Sequence, residues 1–169
     1  AGAAGILNIF GAGNDSKDID RDPFEPASFG SPSIVSVTSS DRNDFRSTFG
    51  NYGATAVDLA APGEDILTTY QAAYASASGS SLAAAHVAGT AALLAGLDPS
   101  LSADGIKVLL LRTVDQLPQW SGRVSSGGRL NAFRAAGAVG IDPNKPPAIS
   151  ITKPVDGDIL TTPVNVTIE

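Results

Sequence analysis

The sequence predicts an α/β fold: a mainly parallel sheet with buried helices, followed by the beginning of a β-sandwich. Three observations carry this. The short apolar, β-branched run at residues 6–10 suits a buried parallel strand, and residues 34–38 read as the next strand. An alanine-rich stretch at 82–94 meets no proline until Pro99 and is small and apolar nearly all round, which predicts a buried helix. Beyond Pro146 and Pro147 the pattern changes to alternation with period two.

Taken in order, Ala1 to Ala4 reads as the last turn of a helix, with Gly5 at its C-cap position. The strand at 6–10 ends in the glycine-rich turn Gly11-Ala12-Gly13-Asn14. A dinucleotide-binding turn is excluded there. Ser16 stands where a third glycine is needed, and an acidic, proline-containing loop follows instead of a helix. Residues 34–38 form the next strand and 41–53 a polar surface connection. Residues 56–60 form another strand, stopped at Ala61-Pro62-Gly63. Residues 66–69 and 74–78 are short strand candidates. After the helix at 82–94 comes a second at 102–112, with Ser102 as N-cap and Ile106, Leu109 and Leu110 as its apolar stripe. A third, shorter helix is predicted over 128–139.

The 169 residues, 43% of them hydrophobic, are enough for one domain with a core. Eleven basic against 17 acidic residues leave a net charge of −6, which argues against nucleic acid as the main partner. No apolar run approaches about 18 residues, so no membrane span is expected. No cysteine is present, which removes disulfide and thiol chemistry. With no methionine and a strand-like alternation running to Glu169, the chain reads as an internal piece of a longer protein.

The chemistry centres on Ser78-Gly79-Ser80-Ser81-Leu82-Ala83-Ala84-Ala85-His86-Val87-Ala88-Gly89. Ser81 falls at or just before the first helical turn, where free backbone N–H groups and the positive end of the helix dipole favour negative charge. A serine attacking an acyl group needs that setting, because its transition state carries an oxyanion. A plain N-cap serine occupies the same place. His86 is the one histidine in the chain. Five helical residues rotate about 500°, leaving the Ser81 and His86 side chains about 140° apart. His86 is therefore not expected to serve Ser81 as a base.

This stretch resembles the nucleophile motif of the subtilisin family of serine proteases. The resemblance runs in order through Gly11-Ala12-Gly13-Asn14, Pro26-Ala27-Ser28, Ser47-Thr48-Phe49-Gly50-Asn51-Tyr52-Gly53, Asp58-Leu59-Ala60-Ala61-Pro62-Gly63 and Gly127-Gly128-Arg129-Leu130-Asn131-Ala132. It implies that the sheet is the C-terminal part of a subtilisin-like one. Ser81 would be the catalytic nucleophile and Asn14 the side-chain donor of the oxyanion hole. His86 would match the structural histidine of the motif, packed in the helix, hydrogen-bonded and turned into the core. Gly11, Ala12 and Gly13 would form one wall of the substrate pocket, where small residues let a substrate lie against the backbone. In that family the catalytic Asp and His precede the serine, and here both would lie upstream of Ala1. The isolated chain is thus expected to be inactive, and its partners to be polypeptide substrates and the missing N-terminal part of the same domain. Three positions depart from the motif: Ser80 for Thr, keeping a hydroxyl that could assist the oxyanion; Leu82 for Met; and Ala85 for Pro, which regains an N–H.

No cofactor is required for such chemistry, but structural Ca²⁺ is a candidate. Asp58 stands inside an apolar strand and needs a partner. The resemblance implies a cation held by Asp58 with the carbonyls of Pro32 and Ile34, or of Ala27, Phe29 and Ile34. A carboxylate hydrogen-bonded to loop amides is the other reading. The Asp18-x-Asp20-x-Asp22 spacing is similar to a calcium loop, although it lacks the glycine and later glutamate of an EF-hand, and a solvated loop carries the same charges.

The resulting organisation is residues 1–141 as a partial peptidase domain, 142–147 as a linker and 148–169 as the start of an immunoglobulin-like domain. The resemblance implies a secreted serine endopeptidase. A second reading is a catalytically dead relative used for binding or as a scaffold, and a third is an unrelated α/β binding module in which Ser81 only caps its helix. The readings part on one geometric point: a nucleophile requires the Asn14 and Ser81 side chains to open onto one cleft.

Overall fold

The computed structural model describes residues 2–71 and 73–139. The predicted linker and immunoglobulin-like start at 142–169 lie outside the described residues.

The main sheet has five strands in the order β1 (Asn8–Gly11), β2 (Ile34–Ser40), β3 (Leu59–Pro62), β7 (Gly128–Arg129) and β6 (Asp115–Gln116). The first four run parallel, and β6 pairs antiparallel with β7. A separate hairpin of β4 (Ile66–Tyr70) and β5 (Ala73–Ala77) precedes the helix α1 (Ser80–Leu97). α2 (Ala103–Arg112) and α3 (Ala132–Gly137) complete the described chain.

Side chains alternate across a strand, and the core divides accordingly. Val35, Val37, Leu59 and Ala61 face one way and meet Ala83, Val87 and Leu94 of α1, with Ile106, Leu109 and Leu110 of α2 closing that layer. Ala60 faces the other way, into a second cluster with Ala12, Ile19, Val57, Trp120 and Val124. As predicted, Ser102 caps α2, its side chain accepting from the Gly105 N–H at 3.1 Å. Asn131 caps α3 in the same way, from the Arg134 N–H.

Several expectations are corrected. The third strand starts at Leu59, not at residue 56, because Ala54 to Ala56 form a turn whose Thr55 and Ala56 N–H groups bind the Asp20 carboxylate. Residues 128–129 belong to β7 rather than to a helix. Gly128 lies so close to the neighbouring strand that a Cβ would stand 2.3 Å from the Asp115 carbonyl oxygen. Residues 2–4 form a single 3₁₀ turn, closed by the Gly5 N–H on the Gly2 carbonyl, with Gly5 at φ +70°.

The central helix departs from expectation twice. It is buried on one face only, through Ser80, Ala83, Ala84, Val87, Thr90 and Leu94, while Ser81, Ala85, His86, Gly89 and Leu93 are exposed. Its 18 residues, with mean hydropathy 1.4, are also long and apolar enough by length and composition to cross a membrane, which the search for an uninterrupted apolar run missed. In this fold it packs against β1, β2 and β3 as a core helix.

Candidate active site

β1 and α1 meet end to end, and the candidate site lies at that junction. β1 delivers Gly11 to Asn14 at its C-terminal edge, where parallel α/β sheets place their ligands. α1 points its N-terminus at the same place. Two hydrogen bonds lock them: the Ser80 N–H donates to Asn14 Oδ1 at 2.8 Å, and the Gly13 N–H donates to Ser80 Oγ at 3.1 Å.

The first bond fixes the Asn14 amide. A backbone N–H demands an acceptor, so the atom facing Ser80 is the oxygen and Nδ2 is turned away. Nδ2 comes within 3.5 Å of the point where a Cβ of Gly79 would stand, and Ser81 Oγ lies 3.3 Å from that point. The structure thus brings the two predicted residues together at one exposed position. The Ser81 N–H, in the first turn of α1, has no intrahelical partner. Neither it nor Asn14 Nδ2 donates to another group among the described residues. The Ser81 hydroxyl and the Asn14 amide donor thus meet beside a helix N-terminus whose Ser81 N–H is unpaired among the described residues, an arrangement suited to a developing oxyanion.

The remaining small residues have neighbours inside the protein. A Cβ on Gly11 would lie 2.7 Å from Ser80 Oγ, and one on Gly13, at φ +101°, would lie 2.3 Å from Asn51 Nδ2; Ala12 is fully buried. Their lack of bulk is thus required by internal packing, whatever meets their outer side. Ser80 is 3% exposed and its hydroxyl is held against β1, so the expectation that it assists the oxyanion is corrected: it positions the turn instead.

His86 is also corrected. Its Nδ1 is 2.9 Å from the Leu82 carbonyl oxygen, to which only a protonated nitrogen can donate, but the ring is exposed rather than packed in the core. It lines an open groove with Ile66, Leu67, Leu82, Ala85 and Leu93, on the face of α1 that nothing in the described residues covers.

Sequence reasoning missed Asn51. It is fully buried; its Oδ1 accepts from the Asp15 and Lys17 N–H groups, both at 2.9 Å, and its Nδ2 donates to the Ala12 carbonyl at 2.9 Å. One amide thereby pins both sides of Asn14. In the sequence, Asn51-Tyr52-Gly53 reads as turn punctuation, and nothing local points from it to a loop some 36 positions earlier.

Neither candidate cation position gathers its oxygens on an open point. Asp58 Oδ2 accepts from the Ser36 N–H at 2.9 Å and from Lys107 Nζ at 3.2 Å, and the same ammonium donates to the Ile34 carbonyl. Pro32 is exposed, and the Phe29 carbonyl accepts from the Ser31 N–H. In the acidic loop Asp18 pairs with Arg21, Asp22 pairs with Lys17, and Asp20 turns to Thr55 and Ala56. Burial pushes the Asp20 carboxyl up, but the bonds from Ala56 and Thr55 together outweigh it and hold it below the usual carboxylate range. Among the described residues no group of three or more His, Cys, Asp or Glu side chains comes together to hold a metal.

The family model described as the subtilase family, Peptidase_S8, matches residues 1–138. Thermitase from Thermoactinomyces vulgaris is 43% identical over 102 residues, which cover 60% of this chain and 35% of that protein. Alkaline serine protease ver112 from Corniculantispora psalliotae is 41% identical over 97 residues, covering 57% and 24%. Among solved structures, a protease of Pseudoalteromonas arctica PAMC 21717 superposes with a TM-score of 0.72 at 29% identity, covering 81% of this chain and 44% of that one. The chain thus spans about a quarter to under a half of the length of these relatives.

Proposed function

The chain belongs to the subtilase family, and on that premise we propose that the protein carrying it is a serine endopeptidase that cleaves polypeptides through an acyl-enzyme on Ser81. The observation that carries this reading is the approach of Ser81 Oγ and Asn14 Nδ2 to one point beside Gly79. In the proposed reaction Ser81 Oγ attacks the scissile carbonyl, and the Asn14 amide and the Ser81 N–H take the oxyanion. The outer faces of Gly11, Ala12 and Gly13 are proposed as one wall of the substrate cleft. Secretion goes with this reading, and fractionation of the producing cells checks it.

The serine needs a base and the base an orienting carboxylate. His86 is not placed to supply either: five helical residues set its side chain about 140° round the helix from Ser81, and its Nδ1 is tied to the Leu82 carbonyl in its own helix. The base and carboxylate are proposed to come from the part of the domain that the relatives have and this chain does not span. That part is also the proposed cover for the open face of α1. The 169 residues alone should then hydrolyse no peptide.

The test is covalent labelling. The full-length protein is treated with an organophosphorus serine reagent, and its peptides are read by mass spectrometry. Modification of Ser81, abolished by Ser81→Ala, is the expected result. An unmodified Ser81 in a folded protein would instead favour the catalytically dead binding or scaffold relative.

A further inference from the structure

We propose that Lys107 is the resident cation at the Asp58–Ile34 position, so that this chain fills with its own ammonium the point where a metal ion is expected. This stands independently of the proposed protease activity. Asp58 is 16% exposed and lies at the mouth of a strand, where its charge needs compensation. The compensation comes from α2. Lys107, 18% exposed and adjacent to the buried Ile106, reaches across to the sheet and places Nζ between Asp58 Oδ2 and the Ile34 carbonyl. Those are two of the three oxygens assigned above to a metal.

The donor set does not suit an added ion. Calcium takes about six to eight oxygens. Here the carboxylate oxygen already accepts from the Ser36 N–H and from Lys107, and the carbonyl accepts from Lys107. An added dication would meet an ammonium sharing both of its best ligands. The two charges of the existing pair cancel, so nothing there calls for a further positive charge. An ammonium tethered to α2 also ties that helix to β2 and to the segment entering β3, and it does so at any calcium concentration.

The experiment compares melting of the full-length protein in millimolar calcium and in chelator, for the wild type, Asp58→Asn and Lys107→Met. Calcium bound elsewhere shifts the wild type and Asp58→Asn alike, so the expected result is an equal chelator shift in those two proteins. Lys107→Met is expected to melt about 4–8 °C below the wild type in chelator, the loss that follows from leaving a largely buried carboxylate unpaired. Loss of the calcium response in Asp58→Asn would overturn the proposal, because an ion would then sit at Asp58 despite Lys107. A Lys107→Met protein as stable as the wild type in chelator would overturn it equally. If Asp58→Asn fails to fold, the melting of Lys107→Met in chelator decides alone.

Discussion

Ser81, Asn14 and Gly79 define the site residue by residue, and each makes a separable prediction. Gly79 has φ 162° and ψ 153°, extended backbone that alanine also adopts, and its N–H and carbonyl bonds to Gly63 and Leu82 involve no side chain. A methyl there would stand 3.3 Å from Ser81 Oγ and 3.5 Å from Asn14 Nδ2. Gly79→Ala in the full-length protein should therefore melt close to the wild type yet lose about tenfold or more in kcat/KM, since small displacements at a reacting centre are costly. Asp20 predicts a pH effect. Its folded pKa lies below the ordinary value of 3.8, so its stabilisation is fully present above the unfolded pKa and is lost as the pH falls through the lower folded one. Melting of Asp20→Ala and wild type between pH 7 and pH 2 should show a gap that is constant above about pH 5 and narrows below pH 4. A gap unchanged down to pH 2 would mean that Asp20 acts by packing and not by charge.

At the scale of elements, the loop from Ala12 to Lys17 keeps its shape through Asn51. Asn51→Ala would leave the Asp15 and Lys17 N–H groups and the Ala12 carbonyl without that partner, a loss of about 2–4 kcal/mol. Thermal melting should report it, and kcat should fall with it, because the released loop carries Asn14. A variant with normal melting and normal kcat would show that the loop holds itself. The same elements explain what the sequence could and could not tell. β2, α1 and α2 were legible because β-branched runs, alanine content and a serine cap act over neighbouring positions. The start of β3 was not, because Asp20 reorganises Ala54 to Ala56 from far away in the chain. Residues 128–131 read as a helix start, but the helix begins only after the Asn131 cap, and the residues before it serve the sheet. Gly128 admits β6, Arg129 pairs with Asp44 at 2.6 Å and Asp115 at 3.0 Å, and Asn131 donates to Asp115. Ser81 and Asn14 could be found from motifs, whereas Asn51 and Lys107 act through contacts that no local pattern encodes.

At the scale of the molecule, α1 has one face in the core and one face open. Leu93 is 47% exposed and, with Leu67 and Leu82, lines a groove that includes His86; Leu97, near the end of the same helix, is 52% exposed. An open apolar face of that kind calls for a partner, and the part of the domain outside this chain is the proposed one. Leu93→Asp in the full-length protein is therefore expected to cost about 2–4 kcal/mol by burying an unpaired charge, read by denaturant unfolding. A change within about 0.5 kcal/mol would mark Leu93 as surface in the whole protein as well. The central claim is that the end of β1 and the start of α1 form one catalytic unit, and it is tested most directly by Asn14→Leu in the active full-length protein. Leucine keeps the branched outline of asparagine but removes the amide donor, together with the Oδ1 that accepts from the Ser80 N–H, so kcat should fall by about 10²–10³ with KM little changed, the signature of an interaction made in the transition state. An unchanged kcat, with Ser81 still required for activity, would remove Asn14 from the oxyanion site and contradict the account.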